Sequence, residues 1–252
     1  LGYTYHRYFT WDMDGKTSLV TRAANMAASK GILVVNAAGN EGSEEWHTIG
    51  APADADSVLS IGGIDPDLGY HIDFSSYGPT ADKRMKPNVS AFGKAMVSGK
   101  EGFREANGTS FASPLVAGFA ACALQAHPEY DNMQLFRAIE KSGNLYPYFD
   151  YAHGYGIPQA EKILNAPSVE VAEPTFTIEV SNDTLHVNLL SVDPEAKDYF
   201  YYNLTNALNV ITKYFVLSAT EKKVLSIPLW ELSWLTVNMH YKGYTQSYIS
   251  TN

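Results

Sequence analysis

The spacing of apolar residues changes character near residue 167. Before that point, helical spacing alternates with short continuous apolar runs, in the order 17–30, 32–35, 58–63, 114–124 and 132–142. Helix-period segments alternating with buried runs are typical of layered α/β proteins. We therefore predict a parallel sheet with helices on both of its faces for the first part of the chain.

After residue 167 the apolar residues recur at every second position. Runs rich in aromatic and β-branched residues follow one another, at 175–180, 185–189, 199–204, 214–217 and 235–241. This alternation, with turn residues at 181–183, predicts a small antiparallel β-sandwich. Residues 165–168 read Asn-Ala-Pro-Ser and make a natural linker. The sequence thus predicts two domains, 1–165 and 168–252.

Composition narrows the possible partners. The 252 residues are 45% hydrophobic and 18% charged, with a net charge of −9 and only 18 scattered Lys and Arg. Phosphate binding needs clustered basic residues, so nucleic acid is not an expected partner. No apolar stretch reaches the roughly 20 residues that span a bilayer, so no membrane span is expected. The single cysteine, Cys122, is predicted to be a small core residue.

The most informative stretch runs from Asn107 into a long apolar segment. Ser110 lies between a glycine-containing turn and a predicted helix, where free backbone N–H groups favour negative charge. That position suits a nucleophile. Ser110 or Ser113 is expected to cap the helix, with Pro114 just inside its start.

A second stretch, 36–42, follows the first predicted buried strand and reads Asn-Ala-Ala-Gly-Asn-Glu-Gly. Small residues at the carboxyl end of a strand leave room for a substrate, and Asn40 places an amide beside that space. Taken alone, an asparagine between glycines is more often a turn residue.

Together the two stretches resemble the subtilisin-like serine proteases, the subtilases. The match is carried by Gly-Thr-Ser-Phe-Ala-Ser-Pro-Leu-Val-Ala-Gly at 108–118 and Ala-Ala-Gly-Asn-Glu-Gly at 37–42. The resemblance implies a serine endopeptidase that cleaves peptide or protein substrates through an acyl-enzyme. In that family Ser110 corresponds to the catalytic serine, and the side-chain amide of Asn40 to the donor that binds the oxyanion.

The same resemblance assigns substrate-binding positions. Ala37, Ala38 and Gly39 would form one wall of the pocket for the residue before the cut bond. Gly50 belongs to the loop that closes this pocket, where the family has a proline after a cis peptide bond, here 51–52. Leu-Gly at 1–2 resembles the end of the strand that pairs with substrate, which makes Gly2 a binding position.

Supporting motifs extend the resemblance over residues 1–165. Phe-Ser-Ser-Tyr-Gly-Pro at 74–79, Lys-Pro-Asn-Val-Ser-Ala-Phe-Gly at 86–93 and the segment 154–164 each match a family pattern. Two positions depart from it, since Asn88 replaces an acidic residue and Phe92 a proline. Neither position normally takes part in the chemistry.

The family's Asp-(Ser/Thr)-Gly and His-Gly-Thr motifs are absent. Of seven histidines only His153 precedes a glycine, and it lies downstream of Ser110; the others are expected at the surface or in turns. Family order places both motifs upstream, and the chain starts without Met or a signal-like run, so it is expected to begin within a longer protein. Alone it should be inactive, and an upstream fragment or a second copy should cover its incomplete sheet.

Other interpretations stay open. A noncatalytic relative could use the same domain to bind peptides or partners. An α/β-hydrolase requires a second glycine where Ala112 stands, and an adhesion or carbohydrate-binding role for 168–252 has no motif. The segments 204–210 and 241–248 resemble the C-terminal sorting domains of secreted Bacteroidetes proteins. The chemistry needs no cofactor; structural calcium is common in the family, whose members suggest a secreted, periplasmic or cell-surface location.

Overall fold

The computed structural model describes residues 8–100, 102–164, 172–221 and 223–250. The chain divides into two compact units, Leu1–Pro167 and Ser168–Asn252. Each unit is described by itself below.

The first unit is a layered α/β structure. After a 3₁₀ helix at Thr10–Asp12 its elements are α1 (Leu19–Ser29), β1 (Val34–Ala37), β2 (Val58–Ile64), β3 (Val89–Phe92), β4 (Lys94–Gly99), β5 (Gly102–Asn107), α2 (Thr109–Ala126), α3 (Asn132–Ser142) and α4 (Ala160–Leu164). Strands β1, β2 and β3 form a parallel sheet in that order, and β4 pairs with β5 as an antiparallel hairpin. The predicted α/β class with a parallel sheet is confirmed.

The core of this unit lies between α2 and the sheet. A stripe of small residues along α2, Ala112, Val116, Ala120 and Ala123, packs against apolar side chains of β2 and β3, including Leu59. The stripe follows the three-to-four-residue spacing of one helix face, so α2 crosses the sheet as a continuous apolar surface. Helix α1 contacts β1 and β2. Because α2 starts where β5 ends, this packing fixes the position of Ser110.

The start of α2 differs from the prediction. The helix begins at Thr109, Gly108 is its N-cap, and no side chain caps it. The predicted caps Ser110 and Ser113 are therefore wrong, because both lie within the helix. Pro114 lies one turn inside the helix rather than at its first position.

One face of α2 is open to solvent. Cys122 is exposed, so its predicted place in the core is wrong. The reason is geometric, since the stripe that faces the sheet contains positions 112, 116, 120 and 123, and 122 lies off it.

Among the described residues, α2 is also the one helix long and apolar enough to cross a membrane. That result rests on length and composition alone, and a core helix meets the same criteria. Helix α2 packs on all three strands of the parallel sheet.

The second unit is built from two antiparallel sheets. Its strands are β6 (Phe176–Ser181), β7 (Thr184–Leu189), β8 (Tyr199–Thr205), β9 (Ile211–Ser218), β10 (Val224–Pro228), β11 (Thr236–Tyr241) and β12 (Tyr244–Ile249), with a 3₁₀ helix at Leu229–Leu232. One sheet has the order β10-β7-β6 and the other β12-β11-β8-β9. Side chains from both sheets, among them Phe176, Val187, Phe200 and Met239, share one core. The predicted antiparallel β-sandwich is confirmed, while the resemblance to sorting domains stays a prediction.

Candidate functional site

Ser110 lies at the amino-terminal end of α2. It is the second residue of the helix and is exposed to solvent. Within the described residues its backbone N–H has no hydrogen-bond acceptor in the protein. The first N–H groups of a helix carry partial positive charge, so this end favours an anion beside the serine hydroxyl.

Asn40 is brought to the same place from the end of β1. Its side-chain Oδ1 accepts two hydrogen bonds from Thr109, one from the backbone N–H at 2.8 Å and one from Oγ1 at 2.9 Å. With Oδ1 held this way, Nδ2 is the end of the amide left to donate. Nδ2 lies against the turn before Ser110, since a Cβ added to Gly108 would be 3.5 Å from it.

The backbone before Asn40 is shaped by glycine. Gly39 has φ of +125°, and a Cβ there would come within 2.6 Å of both the Glu41 carboxylate and Ser76 Oγ. The Glu41 carboxylate accepts the backbone N–H of Asn40 at 2.8 Å and Ser76 Oγ–H at 3.1 Å. These contacts hold the peptide that carries Asn40, and they require glycine at position 39.

The residues predicted to form the pocket wall lie together. Ala38 is fully buried and its N–H donates to Ile61 O at 2.8 Å, while the N–H of Gly50 donates to Ala38 O at 3.2 Å. Ala37 pairs with Ile61 at the end of β1. The peptide bond between Ala51 and Pro52 is cis, as predicted. Gly2 lies outside the described residues.

The structure argues against His153 as the base for Ser110. His153 is only 2% exposed, and its Nδ1 lies 2.9 Å and 3.0 Å from the two oxygens of Asp150. Its Nε2 accepts the backbone N–H of His71 at 3.0 Å. Both ring nitrogens are engaged within the core, whereas Ser110 is exposed. No described histidine is hydrogen-bonded to Ser110.

Two of the histidines expected at the surface or in turns are buried. His71 and His240 are 6% and 2% exposed. Burial lowers the pKa of His71 to about 3, with His153 adding to the effect, so its ring is neutral. Nothing in the local sequence signals this burial, because it depends on packing against residues far away in the chain.

Asn88, which departs from the family pattern, connects the side chains of Lys86 and Glu140. Lys86 is buried, and its Nζ donates to Asn88 Oδ1 at 2.8 Å and to Val58 O. Asn88 Nδ2 in turn donates to Glu140 Oε1 at 2.8 Å. Burial lowers the pKa of Lys86 to about 7, and burial raises the pKa of Glu140. Position 88 thus lacks the carboxylate of the family pattern. The carboxylate of Glu140 on α3 takes its place and is connected to Lys86 through the side-chain amide of Asn88.

In the part of the chain that the structure describes, no group of three or more His, Cys, Asp or Glu side chains is arranged to hold a metal ion. The need for structural calcium stays a prediction of the resemblance.

Chemically, the site presents a hydroxyl flanked by two N–H donors. The backbone N–H of Ser110 and the amide of Asn40 border the helix end, which suits an oxygen that gains negative charge when a carbonyl is attacked. The described residues supply the hydroxyl and these donors.

Comparison with known proteins agrees with this geometry. The model of the subtilase family, Peptidase_S8, matches residues 10–156. Subtilisin DY of Bacillus licheniformis is 37% identical over 142 residues, covering 56% of this chain and 50% of that protein. Subtilisin E of Bacillus subtilis is 38% identical over 139 residues, covering 53% of this chain and 35% of that protein. The solved structure of sphericase gives a TM-score of 0.50 at 27% identity, covering 63% of this chain and 55% of that one. The chain spans half or less of the length of the two curated relatives named here.

Proposed function

This chain belongs to the subtilase family, and on that premise we propose that it is the nucleophile-bearing part of a serine endopeptidase. The observation that carries the proposal is the placing of Asn40 against the helix end that bears Ser110. Family membership and subtilisin relatives support serine peptidase chemistry.

In the proposed mechanism, Ser110 Oγ attacks the carbonyl carbon of the substrate peptide bond. As the carbonyl oxygen gains charge, the Ser110 N–H and Asn40 Nδ2 donate to it. Collapse of the tetrahedral species expels the amine and leaves an acyl-enzyme ester on Ser110, which water then hydrolyses. Each step needs a base that takes and returns a proton.

We propose that the histidine base, and the aspartate that orients it, come from residues upstream of this chain. Two observations support this: both ring nitrogens of His153 are engaged, and the chain spans only half the length of subtilisin DY. The chain alone is then expected to be inactive.

The same upstream residues would cover the open face of α2. Leu115 is 54% exposed on this face, which also carries Gly118 and Cys122. A Cβ added to Gly118 would meet nothing within 4 Å, so a neighbour could approach closely. The upstream segment is the proposed occupant. A stable dimer of 1–252 that persists after the upstream residues are restored would instead favour a second copy.

The family resemblance also supports export, to a secreted, periplasmic or cell-surface location. Cell fractionation of the source organism with an antibody against 168–252 would test this, and a cytosolic signal would contradict it.

Peptide hydrolysis tests the function. The chain extended by its natural upstream residues should cleave a fluorogenic peptide library, and Ser110→Ala should abolish cleavage while leaving the melting temperature unchanged. If the extended native chain binds peptides without cleaving them, the noncatalytic relative is the better description.

A further inference from the structure

A column of four aromatic rings in contact runs from the core of the first unit to the loop that follows Asn40. His153 contacts His71 edge to face, with ring centroids 5.9 Å apart. The ring of His71 lies 4.3 Å from that of Tyr77, which stacks on His47 at 4.5 Å and 22°. We call these four residues the ring column.

We propose that the ring column positions residues 41–50 and thereby sets which side chain the enzyme accepts before the cut bond. This inference rests on the proposed function, because the loop matters only if Asn40 and Gly50 border a substrate pocket. Tyr77 is the central positioning residue, since it contacts a ring on either side.

The inner end of the column is firmly anchored. Asp150 is fully buried and accepts the backbone N–H groups of Ala152 and His153 at 2.9 Å and 2.7 Å, besides the His153 ring. Burial alone would raise the pKa of Asp150, but His153 and these hydrogen bonds hold it below the usual value. His71 is fixed too, because its Nε2–H donates to Ser75 O at 3.0 Å.

The outer end is the loop itself. His47 has a left-handed backbone with φ of +58°, which is uncommon for a residue with a side chain. Its carbonyl accepts the N–H of Tyr77 at 3.1 Å, and the N–H of Ile49 donates to Tyr77 O at 3.0 Å. His47 Nδ1 also contacts Gly42 O. The ring of Tyr77 and its backbone therefore hold the same short segment.

The loop held in this way connects the proposed pocket walls. Its first part follows Asn40, and its last residue, Gly50, donates to Ala38 O. Next to Tyr77, the N–H of Ser76 donates to Gly39 O at 3.1 Å. A shift of Tyr77 would therefore displace both walls of the proposed pocket. Through this displacement the ring column would change selectivity.

Two substitutions separate the ring from the backbone. Tyr77→Phe keeps the ring, whereas Tyr77→Val removes it and retains a strand-forming side chain. His47→Asn removes the outer ring but tolerates the left-handed backbone. The measurement uses the chain extended by its upstream residues. We divide kcat/KM for a peptide with phenylalanine before the cut bond by kcat/KM for the same peptide with alanine there. Tyr77→Val and His47→Asn should change this ratio at least fivefold, mainly through KM, and Tyr77→Phe should leave it unchanged.

A ratio that stays native in Tyr77→Val would overturn the inference. A second measurement does not depend on activity. Trp46 lies in the loop and is only 9% exposed, so 5-fluorotryptophan at this position reports on the loop by fluorine NMR in chain 1–252. Its resonance, assigned with Trp46→Phe, should move in Tyr77→Val and stay in Tyr77→Phe, while the signals of Trp230 and Trp234 do not change.

The two measurements also separate failure of this inference from failure of the proposed function. An extended native chain that cleaves nothing would refute the endopeptidase, and the selectivity role with it. An unmoved Trp46 resonance in Tyr77→Val would refute positioning of the loop by the column, even if the extended chain is an active protease.

Discussion

Thr109 donates twice to the side chain of Asn40, from its backbone N–H at 2.8 Å and from Oγ1 at 2.9 Å. The two residues are far apart in the sequence, yet this pair connects the end of β1 to the start of α2. It fixes the amide with Oδ1 toward the helix and leaves Nδ2 as the available donor. The orientation of the proposed oxyanion donor is thus set before any substrate binds.

Asn40→Ala in the active, extended chain should lower kcat by about 10²–10³ with little change in KM, the size of the loss being that known for this donor in subtilisin. The donor acts on the oxyanion, which exists only in the transition state. Steady-state kinetics on a fluorogenic peptide measure this. Asn40→Asp, which keeps the shape but loses the N–H donor, should behave the same way, and native turnover in both variants would remove Asn40 from the site.

Thr109→Val should lower kcat by roughly two- to tenfold, because the amide of Asn40 loses one of its two orienting hydrogen bonds, each worth about 0.5–1.5 kcal/mol. Thr109→Ser keeps the hydroxyl and should retain activity near the native value. Near-native activity in Thr109→Val together with a loss in Thr109→Ser would show that packing of the threonine methyl, and not the hydrogen bond, is what matters.

Stability should rise with pH between about 7 and 10. Burial holds the pKa of Lys86 at about 7 in the folded state, against an ordinary value of 10.5, so the unfolded state binds more protons in this window. Urea unfolding at pH 7, 8.5 and 10 measures the slope. Lys86→Met should remove most of it, and Asn88→Asp should reduce it by placing a negative charge next to Nζ.

The control for this prediction is Lys162→Met, at a lysine that is solvent-exposed although partial desolvation also lowers its pKa. Its contribution to the slope should be smaller than that of Lys86, which is 2% exposed. A slope that is unchanged by Lys86→Met would contradict the assignment of this pH dependence.

A chain comprising residues 168–252 should fold alone. Its core, which includes Val237 and Met239 at 0% exposure, is formed by side chains of its own two sheets. Circular dichroism should show a strand-dominated spectrum and a cooperative thermal transition. Met239→Ala should destabilise it by about 2–5 kcal/mol. A disordered product would place the domain boundary elsewhere.

Much of this fold was readable from periodicity. Helix α3 was predicted at Asn132–Ser142 and is observed there, because a strongly amphipathic segment bounded by an aspartate cap and Gly143 carries its own limits. The hairpin β4–β5 was not predicted, since its strands are largely exposed and show no buried face. Strand β10 was also missed, since it has only five residues and ends in a proline.

From the sequence, the candidate site could be recognised only through its motifs. Local sequence pointed to Ser110 and Asn40, but the hydrogen bonds through Thr109 that join them depend on how β1 and α2 meet. The ring column had no local signal at all. His71, Tyr77 and His153 are separated along the chain, and only tertiary packing makes them neighbours.

The most direct test of the account is labelling of Ser110 by a fluorophosphonate probe, read by mass spectrometry of the modified peptide. The account predicts negligible labelling of chain 1–252, strong labelling at Ser110 once the natural upstream residues are present, and none in Ser110→Ala. Failure of the extended chain to label at Ser110, or strong labelling of 1–252 alone, would contradict it.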